Sequence, residues 1–226
     1  DSYDSSDGPY YEYFHHHHGD VGTNATAAGA ITVSGNIFVD GQLAVGPGVG
    51  DPEGIVAGFD AMFVTGGTSP PSDTQDVLAQ SQTFPMPAVV VPNGLVCSDF
   101  TVQGNTTVTL SPTGGPLGNG TYCYNNLVVQ GNADLTATGP VTIYVVGQLT
   151  AQGNSVIGIV DDPTQMLFQM TSTAGATLEQ TIQGNNTFYG AIYGPQATFT
   201  IQGNATIYGS VIARQVNVSG NAEIHY

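Results

Sequence analysis

The residues best able to do chemistry stand near the start of the chain, where His15, His16, His17 and His18 follow one another. Neutral imidazoles ligate nickel, copper or zinc, so this run is where a divalent ion would bind. Four consecutive histidines on an arm are more often a tag remnant or a loose surface tract than a closed metal site. Just before them, Tyr10, Tyr11, Tyr13 and Phe14 are candidates to insert into a groove on another subunit. Asp161-Asp162 is the paired carboxylate that would draw calcium in an acidic loop. Cleavage of a polysaccharide needs a base or carboxylates gathered at one place. Here Lys is absent, Arg214 is the single cation, and Asp134, Glu179 and Glu223 are far apart in sequence, so no catalytic residue is assigned and no cofactor is expected. Tyr122, Tyr124, Tyr144, Tyr189, Tyr193, Tyr208 and Tyr226 stack on sugars if they form an exposed row, and belong to the core or to an aromatic ladder if they do not.

The two cysteines, Cys97 and Cys123, flank the Gly/Pro-rich turn Ser111 to Gly120 with no histidine between them. That pair reads as a disulfide rather than a metal site. The formal net charge of −16 repels a phosphate backbone and an anionic membrane, which excludes nucleic acid as a natural partner. No apolar run reaches the length of a transmembrane helix, and the start carries no basic n-region followed by an apolar stretch. Low charge, no lysine and abundant Thr, Asn and Gln suit an external wall or fibre component. Glycosylation sequons begin at Asn24, Asn105, Asn119, Asn185, Asn204 and Asn217.

The elements that must position these residues announce themselves by repetition. Ser34-Gly35-Asn36, Gln103-Gly104-Asn105, Gln130-Gly131-Asn132, Gln152-Gly153-Asn154, Gln183-Gly184-Asn185, Gln202-Gly203-Asn204 and Ser219-Gly220-Asn221 are one turn written seven times. Between them lie short runs of Val, Ile, Leu, Phe and Tyr alternating with polar residues, the pattern of half-buried strands. Glycine permits a positive φ at each turn, and each asparagine can bond locally or stack on its equivalent in the next repeat. Crossover helices are missing, which disfavours a doubly wound α/β fold. The sequence predicts an all-β chain, a parallel β-helix (β-solenoid) with long loop excursions and an extended N-terminal arm.

Residues 1–28 form the arm, and residues 29–226 a single β-solenoid domain with insertions at about 46–95 and 161–178. Within the first insertion, Asp73 to Gln82 reads as a short helix. The second contains Met166-Leu167-Phe168.

The stretches Thr181-Ile182-Gln183-Gly184-Asn185, Phe188 to Pro195, Ile201 to Ala205, Tyr208 to Ala213 and Ser219 to Tyr226 carry a family likeness. They resemble the β-helical C-terminal domain of bacterial surface proteins associated with type IV pilus assembly, including PilX-like minor components. The likeness is strongest over residues 95–226 and looser over 28–45. It implies a structural, pilus-associated or adhesive protein outside the cell, with no catalytic constellation to carry over. Together with the open strand edges of a solenoid, it predicts an extracellular structural subunit of a filament or a pilus-associated surface rod, whose partners are copies of itself or other filament subunits. The alternatives are a carbohydrate-binding adhesin with a glycan ligand and, with less support, a β-helical polysaccharide-cleaving enzyme.

Overall fold

The computed structural model describes residues 20–32, 37–39, 41–57, 62–64, 77–171 and 178–225. The arm residues Tyr10, Tyr11, Tyr13, Phe14 and His15 to His18 lie outside the described residues, as does Tyr226. The chain divides into two compact units, Asp1–Met86 with Val218–Gly220 and His225–Tyr226, and Pro87–Asn217 with Asn221–Ile224. Every strand pairing whose register is resolved is parallel.

The first unit contains β1 (Val21–Gly22), β2 (Ile31–Thr32), β3 (Ile37–Val39), β4 (Leu43–Val45), β5 (Val56–Ala57), β6 (Met62–Val64) and β7 (Val77–Ala79). They pair as β1-β4-β7, β2-β5 and β3-β6. Leu43, Val45, Ile55, Val56 and Val77 form its core, with Ala30, Ile31 and Val49 packed against them. The stretch expected to loop away at 46–95 therefore supplies β5, β6 and β7 as partners for the strands before it. Residues 77–79 are strand where a helix is expected, because Val77 fills the core beside Leu43, its register partner. Tertiary packing outweighs the helical signal of a short polar segment.

The second unit contains β8 (Ser98–Gly104), β9 (Thr107–Leu110), β10 (Thr121–Gly131), β11 (Asp134–Ala137), β12 (Val141–Val145), β13 (Leu149–Gly153), β14 (Val156–Ile157), β15 (Met166–Met170), β16 (Leu178–Gly184), β17 (Thr187–Tyr189), β18 (Ala191–Gly203) and β19 (Thr206–Tyr208), and most of β20 (Val211–Gly220) and β21 (Glu223–His225), whose Val218–Gly220 and His225 group with the first unit. One sheet runs β12-β15-β18-β16-β13-β10-β8, with β20 also on β18, and a second runs β21-β19-β17-β14-β11-β9. The long strands serve two neighbours each. Thr121–Tyr124 of β10 lie on β12 and Leu127–Gly131 on β13. Ala191–Tyr193 of β18 lie on β15 and Ala197–Gly203 on β16.

Burial alternates along the strands, as in Met166–Met170, where Met166, Phe168 and Met170 are inside. Leu127, Val129, Leu149, Ala151, Ile182 and Ile201 line up in register as an interior apolar stack. Phe168 and Phe188 meet at 4.9 Å between ring centroids. The expected insertion at 161–178 is thus a short turn followed by β15, which is paired on both sides. Its Met-Leu-Phe-Gln-Met pattern has the period of a half-buried strand, and burying its three inward side chains holds it in the sheet.

Candidate functional site

The repeated turns bring their amides into two parallel files. Gly104, Gly131, Gly153, Gly184 and Gly203 all have φ between 78° and 95°. In that left-handed conformation a side chain is strained, so glycine is required locally. The backbone N–H after each glycine donates to the preceding glycine's carbonyl: Asn132 to Gly104 (2.7 Å), Asn154 to Gly131 (2.7 Å), Asn185 to Gly153 (2.8 Å) and Asn204 to Gly184 (2.8 Å).

On this spine the asparagine Nδ2 groups of 132, 154, 185 and 204 each donate to the preceding Oδ1 at 2.9 Å, and Asn221 donates to Asn204 at 3.2 Å. Beside them Gln130, Gln152, Gln183 and Gln202 donate from Nε2 to the preceding Oε1 at 3.1, 2.8, 3.1 and 2.6 Å. All the amides point the same way. The file that starts with Asn105 and Gln103 therefore ends there in amide nitrogens that donate to no partner among the described residues.

Those two residues border the free edges of both sheets, since β8 pairs only with β10 and β9 only with β11 among the described residues. The carbonyls of Gly104, Thr106 and Leu110 point inward to Asn132, Asp134 and Thr138. Strand alternation consequently turns the backbone groups of Thr101, Gln103, Thr107 and Thr109 outward. A Cβ on Gly131, Gly153, Gly184 or Gly203 would meet the preceding glycine's carbonyl oxygen at 3.0, 2.5, 2.6 or 3.0 Å, whereas one on Gly104 would meet open space. Among the described residues the edge is an unfilled position in a column built for close backbone approach.

The interior side of the same turns holds a polar pair that the repeat conceals. In four of the repeats the residue after Gly-Asn is buried, as Ala133, Ser155, Asn186 and Ala205, whereas Thr106 is exposed and Ala222 half-buried. The Ser155 hydroxyl and backbone N–H donate to Asn186 Oδ1, and Asn186 Nδ2 donates to the Gln183 carbonyl. Gln180, also buried, accepts from the Leu149 N–H and donates to the Gly147 carbonyl at 3.0 Å. Aligning the repeats on Gly-Asn would have exposed Ser155 and Asn186 as polar substitutions in a small-residue column.

Cys97 and Cys123 form the expected disulfide, with Cα atoms 4.6 Å apart and a sequence separation of 26. Cys123 lies in β10 and Cys97 immediately precedes β8, so the bridge fastens the edge strand to its only partner among the described residues. The turn at 111–120 is held separately: the Tyr122 hydroxyl donates to the Ser111 carbonyl at 3.0 Å and accepts the Ser111 N–H at 2.9 Å.

The tyrosines do not make one row. Tyr124 is buried and stacked on Phe100 at 4.8 Å, and Tyr144 is buried. Tyr193 donates to the Pro87 carbonyl at 2.6 Å. Tyr189 and Tyr208 stack at 4.9 Å and are half-buried. Burial first, and the Tyr122 hydroxyl second, push Tyr124 up to about 12. Burial, then Tyr208 and Asp161, do the same for Tyr189, and burial with Glu223 and Asp161 raises Tyr208.

Three of the charged residues weighed for chemistry bond to nearby strand and turn residues. Asp134 accepts from the Thr107 hydroxyl at 3.3 Å and the Val156 N–H at 3.3 Å, and Arg214 donates to the Thr198 hydroxyl at 2.5 Å. Asp162 accepts from the Thr164 hydroxyl at 2.6 Å. Among the described residues no three His, Cys, Asp or Glu side chains gather as a metal site, and no helix is long and apolar enough to cross a membrane.

No curated protein and no solved structure matches the chain. Residues 79–226, which take in the whole run from β8 to β21, match the domain of unknown function DUF7305, and the chain belongs to that family.

Proposed function

We propose that this chain is an extracellular structural subunit of a filament or pilus-associated surface rod, built as a parallel β-solenoid that stacks end on end with further copies. The observation that carries this function is the free edge of β8 and β9. Among the described residues it presents outward backbone groups, unpaired amide nitrogens at Gln103 and Asn105, and a clear approach over Gly104. An exposed parallel edge is a template for another strand, and aligned amide files give it a direction: this end offers donors, so the copy that docks must offer acceptors. The likeness of residues 95–226 to PilX-like surface domains agrees with such work. The adhesive alternative has the half-buried Tyr189–Tyr208 stack in its favour, a two-ring platform for a sugar face.

Electron microscopy of the purified chain at native ionic strength tests the assembly. Uniform filaments are expected, and Gly104→Ala, whose new methyl points off the edge, should shorten them. Thr101→Pro should do so too, since the amide it removes faces away from β10. Dispersed particles from the unmodified chain at every concentration would refute end-on-end stacking and leave a glycan-binding screen as the next experiment.

A further inference from the structure

The six Asn-x-Ser/Thr sequons are not equivalent in the folded chain. Asn24 is clamped at both ends of its side chain, with Nδ2 donating to the Phe84 carbonyl at 2.8 Å and Oδ1 accepting the Phe84 N–H at 2.8 Å. Asn185 and Asn204 each donate and accept within the ladder. A sugar on either nitrogen would stand between amide neighbours packed at strand spacing. Asn217 is half-buried within β20, and its Oδ1 accepts from Gln215 at 3.0 Å. Asn105 Nδ2 has no partner among the described residues, but its Oδ1 takes the Asn132 bond and it borders the edge assigned above to stacking.

Asn119 differs from all of these. It is exposed at the end of the Gly/Pro-rich turn, and its side chain makes no hydrogen bond among the described residues. The turn that presents it is fixed from behind. Gly118 donates to Gly115 at 3.0 Å, Gly120 donates to Gly114 at 2.9 Å, and Tyr122 grips Ser111. Its +1 residue is Gly120, which puts no side chain beside the acceptor. Leu117, two residues away, is 42% exposed and offers an apolar surface for the first sugar to cover.

We propose that Asn119 is the N-glycan acceptor of this chain, taking an oligosaccharide from a lipid-linked diphosphate donor, while the fold withholds the ladder sequons. In the transfer the Asn119 amide nitrogen bonds to the anomeric carbon of the first sugar. The bond from that carbon to the diphosphate oxygen breaks, its electron pair leaving with the lipid diphosphate, and the nitrogen gives up one proton. The site rests on the extracellular part of the function proposed above, since the donor is met during export.

The full chain, secreted from a eukaryotic host that supplies both export and donor, tests the acceptor directly. Glycopeptide mapping of the secreted protein should find the glycan at Asn119, and Asn119→Gln should lose that mass shift while keeping the β-type circular dichroism of the unmodified chain. Secreted protein bare at Asn119, or carrying its glycan at Asn105, Asn185 or Asn204 to the same extent, would overturn the assignment. Because the host provides export, that failure would speak against the acceptor and leave the filament function to the microscopy.

Discussion

Alanine placed at successive turn glycines should separate the local cost of a left-handed residue from the cost of stacking one turn on another. Gly104 and Gly153 share the conformation, with φ of 78° and 95°. Alanine in that region costs roughly 1–2 kcal/mol, partly offset by about 0.4–1 kcal/mol from a less free unfolded chain. Gly104→Ala meets nothing within 4 Å and should lose only that remainder, about 1 kcal/mol. At Gly153 the new Cβ lies 2.5 Å from the Gly131 carbonyl oxygen and 2.9 Å from its nitrogen, both backbone atoms that the ladder holds in place. Relief requires spreading two strands, a strain on the scale of core overpacking, and the total should be about 3–4 kcal/mol. Gly131→Ala and Gly203→Ala, at 3.0 Å, should fall between. Urea unfolding followed by circular dichroism reads the differences as midpoint shifts at unchanged slope. Gly104→Ala and Gly153→Ala equal within about 0.5 kcal/mol would refute the claim that turns are pressed against one another, since only conformation would then matter.

Asn186→Ala should destabilise by about 1–3 kcal/mol by stripping Ser155 of its buried acceptor, and adding Ser155→Ala should recover most of the loss, because the column already accepts alanine at 133 and 205. A double variant no better than the single would remove the coupling. Replacing Cys97 and Cys123 by serine frees a 26-residue closure and should cost about 3.5 kcal/mol, measurable by thermal unfolding with and without reductant. Stability should hold up to about pH 10 and decline toward pH 12. The folded state keeps its protons on Tyr124 and Tyr189 up to about 12, while unfolded tyrosines ionise near 10, so across that window the unfolded state binds fewer protons and gains ground. Unfolding midpoints that stay flat through pH 12 would contradict this.

The Gly-Asn turns were legible in the sequence because their chemistry is local. A glycine at positive φ and an asparagine able to bond its neighbour are properties of three consecutive residues, and Gly104 to Asn221 adopt them. Cys97 and Cys123 were legible for a similar reason, two thiols and no competing ligand. The strands β5, β6, β7 and β15 were not, since proline, glycine and acidic residues around Val56, Met62, Val77 and Met166 look like loop when only neighbours in sequence are considered. Their pairing depends on residues tens of positions away. The tyrosines were ambiguous because alternation says that a side chain points in or out but not what it meets there.

What the sequence by itself determined is the repeating unit: parallel β-strands punctuated by one kind of turn, with an apolar and a polar set of side chains. Only the tertiary structure decided which strands are neighbours across intervals of 27, 22, 31 and 19 residues, and therefore which amides join the files. It also decided that Ser155 and Asn186 satisfy one another inside and that, among the described residues, the files stop at a bare edge beside Gly104. The reason is that turn geometry is set by short-range sterics, whereas register is set by how well distant side chains fill a common interior, and loops of different length can deliver the same fit.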